Sequence, residues 1–361
     1  MVTKPIATPP VAEPAGRTSP EYVRLSMASA IALRLRSGRF ARDFKLGGIN
    51  LLLNYEEGCR SDCAYCGLAR TRPGSYEGKS FIRVEWPLVR TDDLVERLAG
   101  NEAGLTRLCI SMVTHGYAYR DTCDITTRLA QRVRVPVSVL VAPPVLNRER
   151  TEHLRSTGVD MIGIGLDAVT EDLFRRARSE VPGAGLKWDR YWQVISDARE
   201  IFGPWKVNVH TVAGLGETDR DLVGLFAALR DRQVLSYLFC FNPEPGSRMA
   251  EQPKPPLQRW RRLQLARHLV TFEGYGLEEF GFDDAGALAR LRDDRAVVEA
   301  VVAAGAAFMT NGCPGENGEP GCTRPYGSYR PTEPFRDYPF VPAASDLDEI
   351  RRQLRLEDLV E

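Results

Sequence analysis

Short, continuously apolar runs alternate along the chain with longer stretches in which apolar residues recur at helical spacing. Apolar runs of this kind are typical of parallel strands that are covered on both faces. Spacings of three and four residues predict amphipathic helices. The runs predict eight strands: Gly48–Leu53, Arg107–Met112, Val135–Val141, Met161–Leu166, Lys206–Val212, Ser236–Phe241, Leu277–Phe282 and Ala306–Thr310.

Segments with helical spacing lie between these strands: Thr91–Leu98, Arg148–Ser156, Asp189–Ile201, Asp219–Leu229, Leu257–Leu269 and Arg290–Ala303. Strands that alternate with helices predict an α/β protein with a parallel sheet. We expect a TIM-type (βα)8 barrel, or a partial (βα)6 barrel that is slightly open. Sites in such barrels lie where the loops after the strands converge, so the functional residues are expected in those loops.

The domain organisation follows from composition. Residues 1–20 contain five prolines among small and polar residues, which predicts a disordered leader. We expect the barrel over residues 21–312 and, over residues 313–361, a C-terminal extension across the barrel mouth. With 43% hydrophobic residues, the 361-residue chain can bury one large core.

Charge and hydropathy exclude some partners. Lysine plus arginine equal aspartate plus glutamate at 48 each, so no overall basic field favours nucleic acid. Neither an N-terminal signal pattern nor a run of eighteen apolar residues is evident, so we expect a cytoplasmic protein with no membrane partner.

Three cysteines follow the first predicted strand. Cys59, Cys63 and Cys66 are separated by three and two residues, and such a group favours metal binding over disulfides. Three thiolates can hold three irons of a cubane and leave the fourth iron open. An open iron can chelate S-adenosylmethionine (SAM) and pass an electron to its sulfonium. The alternatives are a zinc site, whose fourth ligand would have to be as distant as His115, or a chance group of structural thiols.

The motif Cys59-x3-Cys63-x-Tyr65-Cys66 resembles the signature of the radical SAM superfamily. The resemblance implies a [4Fe–4S] cluster on the three cysteines, bound SAM, and an external electron donor. It also implies that Tyr65 packs near the SAM adenine; otherwise Tyr65 is a loop aromatic that covers the barrel mouth. No catalytic side chain beyond the cluster and SAM is predicted.

The ends of later strands carry further resemblance. Thr114 lies in a turn similar to the one that meets the SAM amino group in this family, and Asp167 resembles the ribose-binding acid of biotin and lipoyl synthases. Arg178 stands where such enzymes place an arginine for the SAM carboxylate. The alternatives are an ordinary turn for Thr114 and a solvated basic helix face for Arg178.

The fifth predicted strand ends at Val212 and continues into Gly214-Leu-Gly-Glu217-Thr, which resembles biotin-synthase-like radical SAM proteins. Val212 and Glu217 are therefore candidate cofactor contacts, although Glu217 equally suits a cap of the following helix. His210, inside the strand, is interpreted as a buried core histidine. The resemblance covers roughly residues 46–312.

A second metal site is predicted from the tail. The last predicted strand is followed by Cys313 and, after eight intervening residues, Cys322. They predict an auxiliary iron–sulfur cluster that faces the first cluster from the barrel top. Cys109 and Cys240 are the further ligands that the sequence offers, and Cys109 is preferred because it resembles an auxiliary-cluster cysteine of biotin synthase. The alternatives are unlinked surface thiols, a zinc clip and, for Cys109, a small buried hydrophobe.

The tail around Cys313 also resembles that of two-component lipoyl synthases, with a longer spacing before Cys322. This resemblance implies sulfur insertion into an octanoyl chain on a lysine of a lipoyl carrier domain, and a second radical SAM protein as partner. The alternatives are a radical SAM mutase or dehydrogenase without sulfur insertion, and a non-enzymatic iron–sulfur scaffold.

Overall fold

A single eight-stranded sheet organises the protein. The computed structural model describes residues 16–76, 78–79, 84–179, 186–291 and 295–359. The strands pair in the order β3-β1-β2-β4-β5-β6-β7-β8. Their bounds are β1 Tyr22–Leu25, β2 Gly48–Leu53, β3 Leu88–Arg90, β4 Arg107–Ser111, β5 Val137–Val141, β6 Val159–Asp167, β7 Val207–Ala213 and β8 Leu235–Cys240.

Six of these strands, β2 and β4 to β8, are parallel, and β1 joins β2 and β3 antiparallel at one edge. Within the described residues no pairing joins β8 to β3, so the curled sheet is open. The predicted α/β class is confirmed, in its partial (βα)6 form. The free edge of β8 is covered by the tail, because Leu238 N–H donates to Asn311 Oδ1 at 2.7 Å and Cys240 N–H donates to Ser328 Oγ at 3.1 Å.

Helices cover the outer face of the sheet, and the core lies between the two layers. They are α1 Met27–Ala32, α2 Thr91–Ala99, α3 Ala118–Arg132, α4 Arg148–Ser156, α5 Glu171–Phe174, α6 Trp188–Phe202, α7 Asp219–Asp231, α8 Leu257–Phe272, α9 Arg295–Ala304, α10 Ala344–Leu354 and α11 Leu356–Leu359. None of the helices in the described ranges is long and apolar enough to cross a bilayer.

Two of the eight predicted strands are wrong. Of Leu277–Phe282, only β9 (Phe280–Phe282) is extended, and it pairs with β10 (Leu288–Leu291) outside the main sheet. Ala306–Thr310 begins as a single helical turn over Ala306–Phe308, in which Ala307 and Phe308 are buried. A short apolar run shows that a segment is buried but not which backbone period buries it.

The predicted leader lies mostly outside the described residues, which begin at 16. Ser19 is buried, and its hydroxyl accepts a hydrogen bond from Asn54 N–H at 3.0 Å. Ordered backbone therefore begins before residue 20.

The inner face of the sheet carries polar as well as apolar side chains. In β7, Val207, Val209 and Thr211 are buried, whereas His210 and Val212 line a cavity on the barrel axis. This period of two is the ordinary alternation of a strand. Inward positions of the other strands carry polar or small residues: Asn50, Cys109, Ser111, Ser138, Gly165 and Tyr237.

Candidate functional site

One cavity of about 350 Å³ lies inside the barrel and extends along its axis. Cys59, Cys63 and Cys66 line it after the C-terminal end of β2. Cys109, Cys313 and Cys322 also line it. Both predicted thiol groups therefore face the same space.

The loop that carries the first three cysteines is tied to its neighbours. Arg60 N–H donates to the Thr114 carbonyl at 2.8 Å, and the Ser61 hydroxyl donates to Thr114 Oγ1 at 2.8 Å. Asp62 is buried and pairs with Arg248 from the loop after β8 at 2.5 Å. These contacts hold the cysteine loop against the loops that follow β4 and β8.

The thiols of the first cysteine loop are shielded from solvent, and this affects their protonation. Burial, followed by the neighbouring Cys63, raises the pKa of Cys59, and burial with Cys63 and Cys59 raises that of Cys66 well above its ordinary value. Cysteine binds metals as the thiolate. A bound metal centre would supply the positive charge that stabilises the thiolates in this buried loop. Three thiols from one loop on a cavity wall fit three irons of a cubane.

The zinc alternative finds no fourth ligand in His115. Its ring stacks on Tyr55 at 3.9 Å, its Nδ1 accepts a hydrogen bond from Tyr117 N–H, and its Nε2 lies 3.5 Å from Glu57 Oε2. His115 does not line the cavity. Across the described ranges, no group of three or more His, Cys, Asp or Glu side chains converges on a single metal ion, which counts against mononuclear zinc.

Three of the predicted cofactor residues contact one another at the end of β6. The hydroxyl of Tyr65 donates to Asp167 Oδ2, and Arg178 Nη1 lies 3.3 Å from the same oxygen. Asp167 has a φ of 62°, a left-handed conformation that aspartate tolerates better than most residues, next to a bulge in β6. The strained turn places the carboxylate on the cavity wall.

Arg178 is not part of a solvated helix face. Its guanidinium is buried, and it donates to the carbonyl of Leu166 at 2.9 Å and to the Tyr191 hydroxyl at 3.2 Å. The exposed arginines beside it, Arg175 and Arg176, pair with Asp172 instead. Arg178 thus fixes the end of β6, and its contact with a SAM carboxylate remains a prediction.

Thr114 and Val212 line the cavity, but Glu217 does not. The Glu217 carboxylate accepts the N–H groups of Gly214, Leu215 and Gly216 at 2.8 to 3.1 Å and pairs with Arg259 at 2.8 Å. The Glu217 carboxylate is engaged in hydrogen bonds within the turn 214–217. It neither lines the cavity nor caps α7. The cap of α7 is formed by Thr218 and Asp221.

Cys313 and Cys322 lie at the N-terminal ends of the barrel strands, whereas the sequence predicted them at the C-terminal ends. Thr106, just before β4, donates to the Gly321 carbonyl at 2.7 Å, and a Cβ added to Gly48, the first residue of β2, would come within 2.9 Å of Cys322 Cα. Residues 312–322 therefore plug the N-terminal ends of the strands, and the prediction that they cross the barrel top is wrong. The predicted last strand would have delivered them to the top, and it does not exist.

The structure adds residues that the apolar strand pattern concealed. Asn50 Nδ2 lies 3.5 Å from Cys322 Sγ, and Asn208 Nδ2 lies 3.4 Å from Cys313 Sγ. His210 is half-buried and lines the cavity rather than the core, and desolvation lowers its pKa to about 4. Alternate polar positions within the predicted strands were the signal for all three.

Comparison with known proteins agrees with this site. The profile described as "Radical SAM superfamily" matches residues 53–229, from the end of β2 through most of α7. Residues 53–229 are thus identified as a radical SAM domain, and this superfamily implies a [4Fe–4S] cluster and SAM as cofactors.

Among curated proteins the similarity is to biotin synthases. A biotin synthase from a Nocardioides species is 27% identical over 62% of this chain and 57% of that protein. Biotin synthase 2 from Frankia casuarinae is 28% identical over 66% of this chain and 63% of that protein. The chain thus spans less than two thirds of the length of these relatives. These similarities support the biotin-synthase-like subgroup.

A solved structure shares the fold. The crystal structure of methylornithine synthase superimposes with a TM-score of 0.51 at 13% identity, covering 92% of this chain and 88% of that one. At this identity the likeness is one of fold alone.

Proposed function

We propose that this radical SAM enzyme inserts sulfur into an unactivated carbon, with an auxiliary iron–sulfur cluster on Cys109, Cys313 and Cys322. One observation carries the proposal: the second group of three thiols lines the same cavity as the first. A carbon radical formed near one group therefore has direct access to sulfur held by the other.

The burial of Cys109 and Cys313 argues against surface thiols. Burial, followed by Cys322 and Cys313, raises the pKa of Cys109 to about 12, and burial raises that of Cys313 to about 11. Such thiols stay protonated and inert unless a cation draws them to the thiolate form. Surface thiols would not show these shifts, so that alternative is not favoured.

When bound, the cofactors supply hydrogen-atom abstraction by the 5′-deoxyadenosyl radical released from SAM, and a cluster sulfide that bonds to the carbon while cluster iron takes up one electron. The chain itself binds and orients SAM and the substrate, and it excludes water from the cavity. In this proposal Tyr65, Thr114, Asp167 and Val212 contact SAM, and Arg178 holds Asp167 in place.

Between the two thiol groups the wall is largely apolar. Met112, Leu140, Val141 and Phe239 line this part of the cavity and suit an aliphatic chain. Thr114, which contacts the first cysteine loop, is five residues beyond Cys109, so at about 3.3 Å per residue its backbone lies at most about 17 Å from that of Cys109. The reacting carbon fits between the two thiol groups.

The proposed substrate is an octanoyl chain on a lysine of a lipoyl carrier domain, with a second radical SAM protein as partner and an external electron donor. Two features support this substrate: the tail around Cys313 resembles that of two-component lipoyl synthases, and the cavity wall between the thiol groups is apolar. Biotin formation is the second candidate, favoured by the relatives of 27% and 28% identity.

Product analysis tests the proposal. The anaerobically reconstituted chain is given SAM, a reductant and either an octanoylated lysyl peptide or the sulfur-free precursor of biotin. We expect 5′-deoxyadenosine together with a sulfur gain on the octanoyl peptide. Sulfur gain on the biotin precursor would select the second candidate, and 5′-deoxyadenosine with rearranged or desaturated product would select a mutase or dehydrogenase. Absence of 5′-deoxyadenosine would favour a scaffold.

Cysteine variants provide the matched control. Cys313→Ala is expected to abolish sulfur gain while SAM cleavage continues. Cys123→Ser should leave both unchanged, because Cys123 lies outside the cavity, with its Sγ 3.8 Å from His153 Nδ1. Loss of sulfur gain in both variants alike would contradict the assigned ligands.

A further inference from the structure

Two buried asparagines face the thiols that the tail brings into the barrel. We propose that Asn50 and Asn208 are positioning residues that donate N–H···S hydrogen bonds to Cys322 and Cys313 and thereby raise the reduction potential of the auxiliary cluster. This inference rests on the proposed function, because it requires a cluster on those cysteines.

Hydroxyls and amides both face these thiols: Cys313 also has the Ser138 and Tyr237 hydroxyls as hydrogen-bond partners, and Asn208 Nδ2 also donates to the Ile162 carbonyl at 3.3 Å. Asn50 is 5% and Asn208 1% exposed, and their Nδ2 atoms lie 3.5 and 3.4 Å from Cys322 and Cys313 Sγ, within the range of sulfur hydrogen bonds. Asn50 is in register with Cys109 on the neighbouring strand. The two amides and the three thiols therefore surround one space at the base of the barrel.

The neighbouring strand leaves room for Asn208. Gly163 is its register partner on β6, and a Cβ there would come within 2.6 Å of Asn208 Oδ1. A side chain at this position would push the amide away from Cys313. The glycine keeps the amide beside the thiol.

The amides are costly as packing residues. Within the described residues the Oδ1 atoms of Asn50 and Asn208 have no hydrogen-bond partner, although both are buried. A buried, unsatisfied carbonyl is unfavourable, and a leucine of similar size would avoid it. If each amide were flipped, its oxygen would face a thiolate, which is unfavourable. Hydrogen bonds from the amide nitrogens to sulfur therefore explain why asparagines occupy these positions.

Hydrogen bonds to cluster sulfur stabilise the reduced, more negative state, because they disperse charge on the sulfur. The amides are neutral, so they act without adding a charge to the site. The first cysteine loop uses a different donor, since Leu68 N–H lies 3.4 Å from Cys66 Sγ. Removing the amides should therefore leave the SAM-binding cluster unchanged.

The test is a redox titration of the full-length, reconstituted protein followed by electron paramagnetic resonance. Asn50→Leu and Asn208→Leu remove the donor at similar volume, and Asn208→Asp keeps the shape but loses the donor. We expect each leucine variant to lower the equilibrium constant for one-electron reduction of the auxiliary cluster about tenfold, which is about 59 mV. Asn208→Asp should lower it at least as far.

The SAM-binding cluster in the same sample is the internal control, and its potential should not change. Loss of auxiliary iron from a leucine variant that retains the SAM-binding cluster also supports the positioning role. Unchanged auxiliary potentials in variants that keep about eight irons per chain would overturn the inference alone. A wild-type chain with only about four irons would overturn the proposed function and the inference together.

Discussion

Replacing Gly312 by alanine should empty the auxiliary site while leaving the fold intact. A Cβ at this position would lie 2.0 Å from the carbonyl oxygen of Cys322 and 2.7 Å from its Cβ. Side-chain Cβ atoms essentially never come within 3.0 Å of another heavy atom, so the backbone of Cys322 must retreat by about 1 Å. Ligand distances in metal sites tolerate only about 0.2 Å.

The cost to the fold is smaller than the cost to the site. Overpacking of this kind destabilises a protein by about 1–3 kcal/mol, part of the usual reserve of about 5–15 kcal/mol. The plug at residues 312–322 should therefore shift without global unfolding. Gly315→Ala is the matched control, since its added Cβ meets nothing closer than 3.4 Å in the same loop.

The assay is iron and sulfide per chain after anaerobic reconstitution, with SAM cleavage measured on the same samples. We expect Gly312→Ala to hold about four irons and still cleave SAM, and Gly315→Ala to hold about eight. About eight irons in Gly312→Ala would refute the reasoning that close packing of the plug positions Cys322.

Three further changes probe the first end of the cavity. Asp167→Asn should destabilise the protein by about 3 kcal/mol in denaturant unfolding and weaken SAM binding, because it leaves the buried Arg178 without its charged partner 3.3 Å away; an unchanged unfolding midpoint would contradict this. Glu217→Gln should cost about 2 kcal/mol of stability with little change in SAM affinity, because the carboxylate serves its own turn; a large loss of SAM affinity at unchanged stability would instead restore its predicted cofactor role. In the metal-free protein, the alkylation rate of Cys66, measured by mass spectrometry, should rise only at a pH above the ordinary thiol range, because burial raises its pKa. Alkylation at neutral pH as fast as that of a free thiol would contradict this.

The strands of the partial barrel were accessible to sequence analysis because helices cover them. Gly48–Leu53 is predicted with both ends correct, and Val207–Ala213 is shifted by one residue. The edge strands Tyr22–Leu25 and Leu88–Arg90 were missed because four and three residues carry too short a pattern. Residue spacing also singled out the first cysteine loop, because its three candidate ligands lie within eight residues.

The second thiol group was only partly predictable. The predicted auxiliary ligands Cys109, Cys313 and Cys322 line one cavity. The predicted end of the barrel was wrong, because the tail approaches beside β8 rather than through a strand. The direction of a connection depends on tertiary packing, which spacing does not report. Asn50 and Asn208 were missed for a related reason: their strands were judged by mean apolarity rather than by the alternate positions that face inward.

The most direct test of the account is the iron and sulfide content of the full-length chain, reconstituted without oxygen, beside Cys59→Ala and Cys322→Ala. Two clusters at opposite ends of one cavity predict about eight irons in the parent protein, about four in each variant, and SAM cleavage only where Cys59 is intact. About four irons in the parent protein and an unchanged content in Cys322→Ala would contradict it.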